Sequence, residues 1–71
     1  MPKLIEVESS NVAKVGYDKA EKELHVEFKN GSLYRYILVP KTVHEDMMKA
    51  ESVGKFLNTN IKGNYSYERI R

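Results

Sequence analysis

Strict alternation of apolar and polar positions is clearest in "LHVEFK", where Leu24, Val26 and Phe28 fall on one side and His25, Glu27 and Lys29 on the other. A period of two is the signature of a half-buried strand. "NVAKVGY" predicts a second strand, with Ala13, Val15 and Tyr17 on one side and Val12 and Lys14 on the other. "LIEV", Leu4 to Val7, is short and β-prone and suits an edge strand. "DKAEKE" is a charged turn, and Asn30-Gly31 marks a hairpin leading into a third long strand from Ser32 to Leu38.

The hairpin register decides which side chains enter the core, because a slip of one residue turns every side chain to the opposite face. A two-residue loop, Asn30-Gly31, sets Val26 opposite Arg35 and buries a guanidinium. A three-residue loop, Lys29-Asn30-Gly31, with Gly31 in the left-handed region, pairs Phe28 with Ser32, Val26 with Tyr34 and Leu24 with Tyr36. Arg35 then faces water. An unpaired buried charge is costly and aromatic–aliphatic cross-strand neighbours are favourable, so the second register is preferred. It makes Tyr34 and Tyr36 core walls.

"VPKTVHEDMMKA" predicts a helix with Pro40 in its first turn and Ala50 near its end. Val43, Met47 and Ala50 recur at helical spacing on one stripe, and Glu45 and Lys49 are spaced for an outer ion pair. Ser52 can cap a second helix, "VGKFLNTNIK", with Val53, Phe56, Leu57 and Ile61 as its apolar stripe and Gly63 to end it. The tail "NYSYERIR" alternates Tyr65, Tyr67 and Arg69 against Ser66, Glu68 and Ile70, as a closing strand or an ordered tail. The pattern therefore predicts a single α+β domain over residues 1–71: a small antiparallel sheet built on a three-stranded meander, with room for an extra edge strand, covered on one face by two short helices. The expected core is Tyr17, Leu24, Val26, Phe28, Tyr34, Tyr36, Val43, Met47, Phe56 and Ile61.

Composition narrows the possibilities. A chain of 71 residues holds one small core, worth roughly 3 to 5 kcal/mol net. With no cysteine there is neither disulfide nor thiolate zinc site. No segment approaches the roughly 18 apolar residues of a membrane span, and no signal peptide is evident, so the expected setting is cytoplasmic, without a membrane partner. Net charge is only +2, but Ser52 to Arg71 holds Lys55, Lys62, Arg69 and Arg71 against Glu68 alone, a local +3. The chain's last third is its basic end.

The order "SSNVAKVGYD", "LHVEFKNGSLYRY", "VP", "AESVGKFLNTNIKGNYSY" resembles the KTSC domain, a small module found alone in bacterial and phage proteins and at the C-terminus of some lysyl-tRNA synthetases. The resemblance rests on the central Tyr34-Arg35-Tyr36 and on Ser52-Val53-Gly54-Lys55-Phe56-Leu57-Asn58. In the second stretch Phe56 stands one place earlier than the bulky pair ending in Phe that the family pattern leads one to expect. It covers almost the whole chain and implies the fold; the synthetase fusions suggest RNA binding.

Enzyme chemistry finds little support in the residues. His25 lies on a polar strand face, and His44, Glu45 and Asp46 are consecutive helix positions that point in different directions and cannot converge on a metal. No cofactor is implied. An anion site is better supported: Ser52, Gly54 and Lys55 combine a capping hydroxyl, a small residue and a first-turn cation. Its bland counterpart is an ordinary N-cap with Gly54 packed on the sheet. Asn58, Asn60, Lys62, Arg69 and Arg71 extend the site if the tail folds back, with Arg35 a weaker addition from the open sheet face. Tyr65 and Tyr67, interleaved with these cations, are the candidates for stacking on bases. The expected function is a non-enzymatic module binding RNA or a phosphorylated nucleotide. The alternative is a protein-interaction or inhibitory module of phage or mobile-element origin, including one that sequesters a nucleotide signal. An exposed apolar strip of Val12, Leu33 and Ile37 would favour that alternative.

Overall fold

The Lys29-Asn30-Gly31 loop closes as a three-residue turn. Gly31 adopts φ +94°, its N–H donates to the Phe28 carbonyl at 2.9 Å, and the Phe28 N–H donates to the Ser32 carbonyl at 2.8 Å. Asn30 Oδ1 accepts from the Ser32 N–H at 2.9 Å. In this computed structural model, which describes residues 2–71, β3 (Glu23–Phe28) therefore pairs with β4 (Leu33–Tyr36) so that Leu24 faces Tyr36, Val26 faces Tyr34 and His25 faces Arg35.

Around this hairpin five antiparallel strands lie in chain order, with β1 (Ile5–Glu6) and β2 (Val12–Asp18) on one side and β5 (Tyr67–Arg69) on the other. The tail is thus a closing strand, opposing Tyr36 with Tyr67, Arg35 with Glu68 and Tyr34 with Arg69. A bulge between Val12 and Lys14 alters the expected pattern in β2. Simple alternation puts Val12 opposite Val15. The extra residue, Ala13, brings Val12 instead to the face of Val15 and Tyr17, where it faces Phe28 and is 0% exposed. The bulge so exchanges a methyl for an isopropyl in the core.

The helices cover that face. α1 (Lys41–Lys49) buries Met47, with Val43 packed at the core's edge. Glu45 pairs at 3.7 Å with Lys41, one turn before it, rather than with the expected Lys49, one turn after it. Tyr17 donates its hydroxyl proton to the Val39 carbonyl, and its ring stacks on His44 with centroids 4.9 Å apart. α2 (Val53–Phe56) is capped by Ser52, whose Oγ accepts from the Lys55 N–H at 3.2 Å. The expected regular helix then widens into a π turn over Leu57–Ile61, closed by the Lys62 N–H donating to the Leu57 carbonyl at 2.9 Å. Leu57 and Ile61 are both buried beneath it. No helix is long and apolar enough to cross a membrane among the described residues.

The other face of the sheet is charged. Arg35 pairs with Glu68 and lies 3.7 Å from Glu23; Arg71 lies 3.4 Å from Glu27. Gly16 sits here under the N-terminal segment, where an added Cβ would lie 2.7 Å from the Lys3 carbonyl oxygen. The exposed apolar strip that would favour a protein-interaction module is not present: Val12 has joined the core, Leu33 is 3% exposed and Ile37 is half-buried.

Two outcomes test this architecture. Gly31→Ala removes no contact, since nothing lies within 4 Å of the added methyl, yet forces a left-handed residue. It should cost about 1–2 kcal/mol in urea unfolding. Burial holds the pKa of His44 below the usual histidine value, partly offset by Glu45. The unfolded chain then binds the proton more readily, so stability falls as pH drops through about 6.5 and levels off below the folded-state pKa. Between about pH 7 and about pH 5, above the main carboxylate range, His44→Phe should lose less stability than wild type in the same titration.

Candidate functional site

The register that buries Leu24 and Val26 also gathers aromatic rings at one end of the helix-covered face. Phe28 on β3 meets Tyr34 on β4 edge-on, with centroids 5.5 Å apart at 86°. Tyr67 on β5 tilts over both central tyrosines, 5.6 Å from Tyr34 and 5.8 Å from Tyr36. The rings are graded in depth: Tyr36 is 2% exposed, Tyr34 is half-buried and Tyr67 is 62% exposed. They open on a cleft of about 430 Å³, completed by Asn30 and Ser32 from the hairpin and by Lys62 and Gly63 from the end of the π turn.

Helical cover ends at this point. Ile61 is the last buried residue of the π turn, and Gly63 at φ +86° turns the chain away. Lys62 is left with Nζ 5.5 Å from the centroid of the Phe28 ring, in cation–π contact. Arg69 lies opposite Tyr34 and donates through Nη2 to Ser32 Oγ at 3.3 Å. No carboxylate lines the cleft. Among the described residues neither Lys62 nor Arg69 has an acidic partner, whereas Arg35 and Arg71 are ion-paired on the opposite face. Burial, with smaller contributions from Tyr34 and Tyr67, pushes the Tyr36 pKa up, so its phenol stays protonated.

The residues singled out in the sequence are thus distributed over three places. Tyr67 and Lys62 come together at the cleft, while Arg69 reaches its edge through Ser32 Oγ and also lines the neighbouring cleft beside Glu68. Ser52 and Lys55 line a separate shallow groove beside Phe56 and Asn60, and Asn58 is exposed on the π turn. Gly54 is buried, with Ser9 Oγ 2.8 Å from where a Cβ would stand, so the room it leaves is taken by the β1–β2 turn. Arg35 and Arg71 belong to the charged face. Tyr65 is half-buried against the core, leaving Tyr67 as the accessible ring of that pair. Phe28, Tyr34 and Tyr36, expected as core, serve as core walls on their inner sides and as cleft lining on their outer edges.

A second cleft, of about 390 Å³, lies on the charged face between Asp18, Glu23, His25, Arg35, Glu68, Arg69 and Ile70. His25 is 3% exposed and shares Glu23 with Arg35, its Nε2 lying 3.2 Å from the carboxylate. Three carboxylates make this an ion-pair layer that disfavours anions. No three His, Cys, Asp or Glu side chains among the described residues are grouped to hold a metal.

A five-stranded antiparallel sheet in chain order, covered on one face by a helix pair that leaves one end of the face open, defines a small α+β domain. The model of the KTSC domain matches residues 8–65, and the chain belongs to the KTSC domain family. The crystal structure of a KTSC domain protein from Yersinia pestis superposes with TM-score 0.93 at 32% identity, covering 100% of both chains. An uncharacterized protein of Stutzerimonas stutzeri is 39% identical over 69 residues, covering 96% of this chain and 97% of that one. A lysine–tRNA ligase of Nostoc punctiforme is 36% identical over 67 residues; the match takes in 94% of this chain but only 12% of the ligase.

The graded depth of the rings predicts different costs for their removal. Tyr36→Ala empties a core position and should destabilise by about 3–5 kcal/mol, as for other large aromatic truncations. Tyr67→Ala loses mainly ring-on-ring contact, about 0.5–1.5 kcal/mol per pair beyond area, and should leave a folded protein. Urea unfolding of the two variants measures the difference.

Proposed function

We propose that this domain is a non-enzymatic binding module for RNA or a phosphorylated nucleotide, with the aromatic cleft as its site. The observation that carries this reading is the combination of a carboxylate-free cleft of four rings with Lys62 in its lining and Arg69 bonded to Ser32 at its rim. Flat π faces suit a nucleobase, and Lys62 and Arg69 suit the phosphate attached to it. The cleft's own groups are phenols, a hydroxyl, an amide and an ammonium, with no carboxylate or imidazole to move a proton near neutral pH. That composition favours binding over catalysis. Relatives named lysine–tRNA ligases carry a matching segment, which supports a role beside RNA. Ser52, Lys55 and Asn60 form the competing anion site, with weaker claims because the Ser52 hydroxyl already caps its own helix.

Fluorescence anisotropy with a labelled single-stranded RNA across a salt series tests the proposal. Affinity should fall steeply with salt, and Lys62→Gln or Arg69→Gln should each weaken binding and reduce the salt slope by about 0.7, the value for one phosphate contact on a single strand. Absence of binding at low salt, or binding indifferent to salt, sinks the proposal. A larger loss from Lys55→Gln than from either cleft variant would move the anion site to the α2 corner.

A further inference from the structure

Resting on that reading, the geometry points to a narrower ligand class: we infer that the cleft takes one unpaired nucleobase, with its attached phosphate, from a single strand or a free mononucleotide, and rejects paired duplex. Three features of the site argue for it.

The first is access to a π face. Tyr67 is the outermost ring and sits at the free edge of the sheet on β5, tilted 36° and 43° from the two rings beneath it. Its exposed side can stack only on a base whose own face is free. Bases inside a duplex have both faces covered by their neighbours, whereas those of single strands, loops and ends can be splayed onto aromatic side chains.

The second is size. A cleft of about 430 Å³ lies near the lower end of the roughly 300–1,000 Å³ of small-molecule sites, which suits one nucleotide. Asn30 and Ser32 form the polar rim. Asn30 uses Oδ1 on the Ser32 N–H and keeps its amide NH₂ for a base edge.

The third is the layout of charge. Lys62 lines the cleft and Arg69, opposite Tyr34 in register, reaches its rim at Ser32, while the adjacent residue of β5, Glu68, joins Glu23 and Asp18 in the neighbouring cleft. Phosphate is thereby attracted on one side of a three-residue strand and repelled on the other. This footprint guides one backbone past the edge and offers nothing to the second backbone of a duplex.

The test uses anisotropy of a labelled eight-nucleotide RNA and of the same sequence annealed to its complement, with competition by adenosine monophosphate and by inorganic phosphate. The single strand should bind at least tenfold more tightly than the duplex, and the mononucleotide should compete at concentrations where phosphate does not. Tyr67→Leu, which keeps bulk but no ring, should weaken the single strand by about 5- to 150-fold, the loss of one base stack worth about 1–3 kcal/mol. Tyr67→Phe should lose less than Tyr67→Leu, with circular dichroism confirming that both variants fold. Equal binding of duplex and single strand, competition by phosphate as strong as by the mononucleotide, or equal losses for Tyr67→Leu and Tyr67→Phe overturns this inference while leaving salt-dependent nucleic-acid binding in place. Failure of every nucleic acid to bind overturns the underlying reading as well.

Discussion

The turn at Lys29-Asn30-Gly31 governs the rest of the molecule, because it sets which side chains of β4 meet the apolar row of β3. With Gly31 left-handed, Val26 and Leu24 meet Tyr34 and Tyr36. One residue fewer in the loop would set Arg35 against Val26 and bring its charge beneath the helices, without the Glu23 and Glu68 carboxylates that it meets on the open face. The register thus decides at once that the core is closed by two phenols and that the guanidinium between them belongs to the ion-pair layer.

From that register the site follows by adjacency. β5 pairs with β4, so Tyr67 must come beside Tyr36 and Arg69 beside Tyr34. Alternation along β5 then separates its chemistry, with Tyr67 and Arg69 joining the aromatic face and Glu68 joining Arg35. The helices stop one residue before Lys62, so the rings nearest the hairpin are left without a lid. A core of this size does double duty: the inner sides of Tyr34 and Tyr36 are packing surface, and their outer edges, with Phe28 and Tyr67, line the cleft.

Much of this was legible in the chain. Asn30-Gly31, together with the cost of burying Arg35, pointed to the three-residue turn, and the helical stripes placed both helices on the same face. Three features escaped a local reading for physical reasons. The bulge at Ala13 is invisible to simple alternation, which places Val12 on the wrong face. Lys41 and Lys49 are both one turn from Glu45, and spacing alone does not choose between them. The π turn is a departure from the ordinary helical period that no single residue announces. The cleft was hidden for a different reason: Phe28, Tyr34, Tyr36, Lys62 and Tyr67 meet only after β5 closes the sheet. A run of cations and tyrosines in the tail signalled Tyr67, Lys62 and Arg69, yet the same run included Arg71, which the register turns toward Glu27.

The claim that one cleft unites the core tyrosines with the basic end is tested most directly by NMR. Assigned ring and amide resonances would be followed during titration with a short single-stranded RNA. The account predicts that shifts concentrate on the rings of Phe28, Tyr34 and Tyr67 and on Lys62 and Arg69. Shifts concentrated on Ser52 to Lys55, or on His25, Arg35 and Glu68, with the aromatic rings unmoved, would contradict it.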